Sequence, residues 1–206
     1  SEKTETVPTC ENAELAIRQA LKDLGRYSLI DRQGHSFTIH ALVQTVQRLE
    51  IPQSEYPLWI EAALSIVNNS TPTETYDVRT WLVLEPLIPH IEEIIEYADA
   101  IQISKPTTRL MNQYGLFLNT RGLFQAAEPL YRRALEIDLA AYGPDHSEVA
   151  TDLNNLASLL QDTNRLQEAE SLMRRALEID EGILGAKHPN VARDLNNLAQ
   201  LLQATN

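Results

Sequence analysis

Residues 147–164 read SEVATDLNNLASLLQDTN, and residues 189–206 read PNVARDLNNLAQLLQATN. Slid 42 residues onto one another, the two stretches are identical at 13 of 18 positions. Residues 123–146 align with 165–188 at the same offset and share the block Arg-Arg-Ala-Leu-Glu-Ile-Asp, at 132–138 and again at 174–180. A weaker copy of the first stretch lies around Met111-Asn112-Gln113-Tyr114-Gly115. A fixed period of this length marks an array of supersecondary units, each of which buries its apolar face only against its neighbours. Residues 107–206 therefore hold two full units and the first helix of a third.

Each unit reads as two helices. Leu153, Leu156, Ala157 and Leu160 recur at helical spacing and make one apolar stripe, and Ala169, Met173, Ala176 and Leu177 make a second. Asp162-Thr163-Asn164, with Gly122 at the matching place one unit earlier, supplies the turn between them, because Gly and Asn tolerate positive φ. Ala157, Ala169 and Ala176 are small where helix backbones must approach closely, as are their counterparts Gly115, Ala127 and Ala134. Gly143-Pro144 and Gly185-Ala186-Lys187-His188-Pro189 separate successive units, since Gly stops a helix and Pro is accepted only where one starts.

The spacing Leu153-x2-Leu156-Ala157-x2-Leu160, followed by Ala169-x3-Met173-x2-Ala176, resembles the tetratricopeptide repeat. That pattern closes with Pro at about 34 residues. Here Glu181 takes the corresponding place and the second helix runs on to Gly185, which lengthens the period. The forms LNNLA, RRALEI and LG-x2-HP are similar to the repeats of kinesin light chains and nephrocystin-like proteins. The resemblance implies a mainly α, tetratricopeptide-type helical solenoid that holds a protein or peptide in a concave groove lined by the first helices.

The front half reads differently. Residues 11–25 form an amphipathic helix through Ala13, Leu15, Ala16, Ala20, Leu21 and Leu24. Tyr27–Asp31 and Ser36–His40 flank the turn Arg32-Gln33-Gly34-His35 and predict one β-hairpin, after which Ala41–Leu49 returns to helical spacing. Helix, hairpin, helix is the order of part of a winged-helix domain. The run YSLI-x-R-x-G-x-x-F-T-I-H-x-L-V-Q resembles the end of the winged-helix domain in signal-transduction ATPases of the NB-ARC type (the STAND class), in many of which a helical-repeat array follows. Those proteins carry an Ile/Met-His-Asp motif whose His touches the β-phosphate of bound ADP. The resemblance implies that role for His40 in the parent protein, while Ala41 departs from the family's Asp.

The expected organisation is thus a disordered leader over 1–10 around Pro8, the C-terminal part of a winged-helix domain over 11–52, linking helices over 53–106, and the repeats over 107–206. Within the link, Leu58 to Ile66 give one helix that ends at Pro72. Trp81 to Ile88 give another, interrupted near Pro86 and Pro89, and Ile91 to Ala98 a third. Trp81-x2-Leu84-x3-Ile88 hints at a degenerate repeat that starts the stack.

Composition narrows the function. The formal charge is −12, with 29 acidic and 17 basic side chains, and neither half offers the positive field that nucleic acid or an anionic membrane requires. Cys10 is the only cysteine, so no internal disulfide or zinc cluster is expected, and a cytoplasmic setting fits. No apolar run reaches the roughly 18 residues of a membrane span. No phosphate-binding Gly-x4-Gly-Lys-Ser/Thr loop, His-Glu-x2-His pair or Gly-x-Ser-x-Gly elbow occurs, so no catalytic or metal-binding residue is assigned and the chain is not expected to be an enzyme. No cofactor is expected in this chain, ADP or ATP belonging to the parent protein that the resemblance implies. His146 and His188, at equivalent places beside helix starts, read as capping or packing residues rather than metal ligands. Arg132-Arg133 and Arg174-Arg175 read as partners of Glu128, Glu136, Glu170 and Glu178 at helical spacing, the alternative being a basic stripe for an acidic partner.

The paired asparagines carry the functional expectation. Asn154-Asn155 and Asn196-Asn197 lie inside first helices, where Asn is a poor helix former. A carboxamide offers both donors and an acceptor to an extended backbone. Asn112, Gln113, Asn154, Asn155, Asn196 and Asn197 are therefore expected to line a peptide-binding groove, with Arg109 and Arg193 favouring acidic ligands. The alternative for these amides is hydrogen bonding between units. The expected function is a scaffold or sensor segment of a multidomain signalling ATPase. Two other classes stay open: a winged-helix DNA-binding regulator, for which Ala41–Leu49 supplies only Arg48, and a self-assembly module. The latter would work through a last helix whose Leu195, Leu198, Leu201 and Leu202 lack a covering second helix, and which is expected to fray or to pair with another copy.

Overall fold

The computed structural model describes residues 30–33, 36–39 and 52–204, and the chain divides into two units, 1–56 and 57–206. In the first, β1 (Ile30–Gln33) pairs antiparallel with β2 (Ser36–Ile39), Ile30 opposite Ile39 and Gln33 opposite Ser36. A two-stranded antiparallel pair belongs to many folds. The leader, the helices expected on either side of the pair, and His40 lie outside the described residues, so the pairing alone does not make a winged-helix unit.

The second unit is helical. It comprises α1 (Tyr56–Ser70, beginning one residue before the division), α2 (Trp81–Leu84), α3 (Ile88–Ala100), α4 (Thr107–Thr120), α5 (Phe124–Tyr142), α6 (Ser147–Asp162), α7 (Leu166–Leu184) and α8 (Pro189–Ala204). Between α2 and α3 the backbone stays right-handed helical but tightens to a 3-10 turn at Glu85–Leu87. Pro86 and Pro89 lack the N–H that an unbroken α-helix needs there. In α1 the side chains turned inward are Ile60 and Leu64, while Leu58 and Ile66 face outward.

From α4 onward the helices alternate as first and second members of pairs, α4 with α5 and α6 with α7, each pair packed on the next. The core runs without a break through Leu84, Ile91, Leu110, Phe117, Tyr131, Leu156, Leu160 and Met173. The turns inside the pairs are built alike. Gly122 at φ 74° and Asn164 at φ 62° occupy the same place one period apart. Beyond each, the Leu123 N–H donates to Leu118 O at 2.9 Å and the Arg165 N–H to Leu160 O at 2.8 Å, the six-to-one bond of a Schellman motif. A Cβ on Gly122 would meet nothing within 4 Å, so only the left-handed backbone resists a side chain there. Gly122→Ala is expected to lower stability by about 1 kcal/mol and Asn164→Gly to change it by less, as read by urea unfolding of the two variants.

The last helix corrects one expectation. Leu198 and Leu201 are buried and Leu202 partly so, because α8 packs on α7 as α6 packs on α5. Only Leu195 stands out, at 47% exposure against 7% for its counterpart Leu153, which a second helix covers.

The arginine pairs join neighbouring units as well as neighbouring turns. Arg132 reaches Glu128 at 2.7 Å and Glu168 of the next unit at 2.9 Å, and Arg165 returns to Glu128 at 2.7 Å. Arg133 pairs with Glu136 and Asp99, Arg174 with Glu170, and Arg175 with Glu178 and Asp145. These residues are partly exposed, and such pairs contribute little singly. His146 and His188 cap α6 and α8, each Nδ1 accepting an N–H two residues on, from Glu148 and Asn190 respectively, at 3.2 Å.

Candidate functional site

The first helices α4, α6 and α8 present one polar stripe each, at positions i, i+4 and i+7 of a helix face. On α6 the stripe is Thr151, Asn155 and Ser158, and on α8 it is Arg193, Asn197 and Gln200; all are exposed or half-buried. On α4 it is Arg109, Gln113 and Leu116, all half-buried. The 42-residue period stacks these stripes in register, so Gln113, Asn155 and Asn197 hold the same place on successive helices.

The amides grouped by sequence separate into two sets. Asn112 Nδ2 donates to Asp152 Oδ1 at 2.5 Å, and Asn154 Nδ2 donates to Asp194 Oδ1 at 2.8 Å. Each bond joins a first helix to the next first helix. Asn112 and Asn154 are thereby structural ties between units rather than free groove donors, and Asn154 is buried. Asn196, their counterpart on α8, is exposed. Asn155 and Asn197 are half-buried and make no side-chain hydrogen bond among the described residues.

The first stripe is already engaged by the chain itself. The Thr75 hydroxyl donates to the Gln113 backbone carbonyl at 2.8 Å and lies 3.1 Å from Gln113 Oε1. Arg109 Nη1 donates to Asn68 Oδ1 at 2.6 Å. Arg193, by contrast, touches only the neighbouring Asp194 carboxylate, at 3.3 Å, and its side chain is half exposed.

Beneath the stripes lie four buried acids. Asp138 on α5 faces Asp152 on α6, and Asp180 on α7 faces Asp194 on α8; all four are buried. Burial pushes the Asp152 carboxyl up to about 8 against the opposing pull of the Asn112 amide, and the facing Asp138 adds to the rise. Asp138 is raised by its own burial, and Asp180 by burial and by Asp194. The signal was present in the spacing, since Asp152 lies three residues after Val149 and four before Leu156, both buried. An acid inside an apolar stripe is a buried acid.

The tetratricopeptide repeat family matches residues 107–182 and again 153–206. Residues 107–206 are tetratricopeptide repeats. A crystal structure of nearly identical TPR-like repeats from a Podosopora anserina protein assigned to the kinesin light chains shares the fold, with TM-score 0.56 and 16% identity over 72% of this chain and 68% of that one. A variant of the same protein gives TM-score 0.57 and 15% identity, over 73% and 68%. No curated protein matches the chain. The tetratricopeptide helices observed here, of 14 to 19 residues in the pairs, are those the period predicts. Among the described residues no helix is long and apolar enough to cross a membrane, and no cluster of three or more metal-ligating side chains forms.

Proposed function

We propose that the tetratricopeptide array is a protein-interaction scaffold that holds an extended peptide segment along the stripes of α4, α6 and α8. The observation that carries this reading is the pair Asn155 and Asn197. Each is a half-buried carboxamide in the same register, and neither has a hydrogen bond among the described residues. A carboxamide that the fold places at a stripe and leaves open to solvent is one that a ligand can bond without breaking a bond within the chain. On α4 the corresponding amide, Gln113, is already met at Oε1 by the chain's own Thr75 hydroxyl. Arg193 adds a preference for acidic side chains at the far end, while Arg109 is committed to Asn68.

The wider setting proposed is a multidomain signalling ATPase of the STAND class, with the tetratricopeptide array as its sensor. Its support is the order of residues from Tyr27 to Gln44, with His40 in the nucleotide-sensing place. ADP would then be retained by the parent protein and not by the repeats.

The groove reading is tested with peptides selected by display on the whole chain. Asn155→Ala with Asn197→Ala should weaken their binding by more than about tenfold, or ~1.4 kcal/mol, with helicity and melting temperature nearly unchanged. Normal binding by the double variant would move the ligand site off these stripes.

A further inference from the structure

The two buried acid pairs are the same device repeated at successive unit boundaries. Asp138 and Asp180 are one period apart, as are Asp152 and Asp194 and their amide donors Asn112 and Asn154. Exposures are 1% for Asp138 and 0% for Asp194, so bulk solvent does not reach them. The amide satisfies one oxygen of the second acid in each pair. Asp138 Oδ1, Asp152 Oδ2 and Asp194 Oδ2 remain buried with no N–H or O–H donor. Two facing carboxylates cannot both be ionised in such a place, because each unpaired buried charge carries a heavy desolvation cost and repels the other. A proton between them removes one charge and supplies the missing donor in a single step.

The surroundings fit a proton better than a metal cation. An amide N–H aimed at a carboxylate oxygen, as from Asn112 and Asn154, presents positive charge where a cation would sit. At the first boundary the other groups facing the pair are the Thr108 hydroxyl, Lys105 and Glu148, the last two bonded to each other at 2.6 Å. At the second they are His188 and Arg193, whose half-exposed guanidinium lies 3.3 Å from Asp194 Oδ1 and leaves Oδ2 without a donor. None of these stands between the two acids as a counter-ion in both copies.

We propose that each boundary between consecutive tetratricopeptide units is closed by one proton shared between two buried aspartates, so that the stack is a pH-sensitive spring that tightens on acidification and loosens as pH rises. The folded pair keeps its proton where an unfolded aspartate has already lost one. At the boundary of Asp138 and Asp152 its contribution is therefore complete below about pH 4, declines as pH rises, and is gone above about pH 8; at the next boundary, where Asp180 is likewise raised, it declines in the same direction. The two protons belong to the pairs as units and not to single residues. This inference concerns the stack and stands whether or not the stripes bind peptide.

The test compares thermal unfolding of the whole chain with that of Asp138→Asn/Asp180→Asn at pH 5.5 and 8.5. The amides introduced supply the donor permanently. The parent should lose at least about 5 °C more than the variant between the two pH values. Equal losses in parent and variant would overturn the proposal. So would a rise of the parent's melting temperature at pH 8.5 with added Mg²⁺ or Ca²⁺ that the variant lacks, since the occupant would then be a cation. If the variant does not fold, carboxyl-carbon NMR of the parent decides. At least two aspartates should titrate above pH 6, and a full set titrating below pH 5 would refute the shared proton.

Discussion

Gly115→Ala is expected to destabilise the repeats by about 1–3 kcal/mol, and Tyr131→Met in the same chain to restore most of the loss. A Cβ built on Gly115 lies 2.8 Å from Tyr131 Cε1 and 3.0 Å from Cζ. The Tyr131 ring is buried against α4 and has no room to swing aside. One unit later the same place holds Ala157 over Met173, both buried. The second unit thus adds a methyl on the first helix and removes a ring on the second, so the two sites conserve volume as a pair. Tyr131→Met alone should leave a void and cost about 2 kcal/mol. Urea unfolding of the two single variants and the double variant measures the coupling, which should be at least about 1 kcal/mol in favour of the double. Additive losses would mean that the backbone shifts to admit the methyl and that Gly115 is not required by its neighbour.

The repeat made most of this fold legible, and the reasons are local. Gly122 and Asn164 could be read as left-handed turn residues because few residue types tolerate that backbone. The partners Glu128, Glu136, Glu170 and Glu178 could be read from spacing because a helix fixes which side chains meet. The core positions of α6 and α7 followed from the same periodicity. The polar residues divided less well. Asn154 and Asn155 are adjacent in sequence, but the helix turns them about 100° apart, so one faces the next first helix and the other the stripe. Sequence spacing within one helix does not say where the neighbouring helix lies. The tie of Asn112 to Asp152 spans 40 residues, and Thr75 reaches Gln113 from a segment with no repeat signature. Such contacts are settled by packing between elements, which periodicity does not encode.

That division predicts opposite behaviour for two neighbouring asparagines. Asn154→Ala should destabilise the array by about 2–3 kcal/mol, and Asn155→Ala by less than about 0.5 kcal/mol. Helix propensity alone favours alanine at both positions by up to ~0.7 kcal/mol, so a loss at Asn154 must come from the bond to Asp194 and exceed that gain. Asp194 is fully buried, and Oδ1 has its amide donor in Asn154. Without it Oδ1 keeps only the long contact with the half-exposed Arg193 guanidinium, at 3.3 Å, and Oδ2 is already without a donor, so the buried acid loses its best-placed partner at a desolvation cost. Asn112→Ala should behave like Asn154→Ala, since the Asp152 carboxyl faces Asp138 in the same way. Asn196→Ala should be silent, because Asn196 is exposed. Asp194→Leu combined with Asn154→Leu and Asp180→Leu should recover stability relative to Asn154→Ala, as removing all three leaves no orphaned partner among the buried groups. Equal small effects at Asn154 and Asn155 would mean that the amide-to-aspartate bonds do not hold the units together. The strength of the boundaries would then rest on apolar contacts, those of Val149, Ala150 and Leu153 among them, and on the arginine pairs between units.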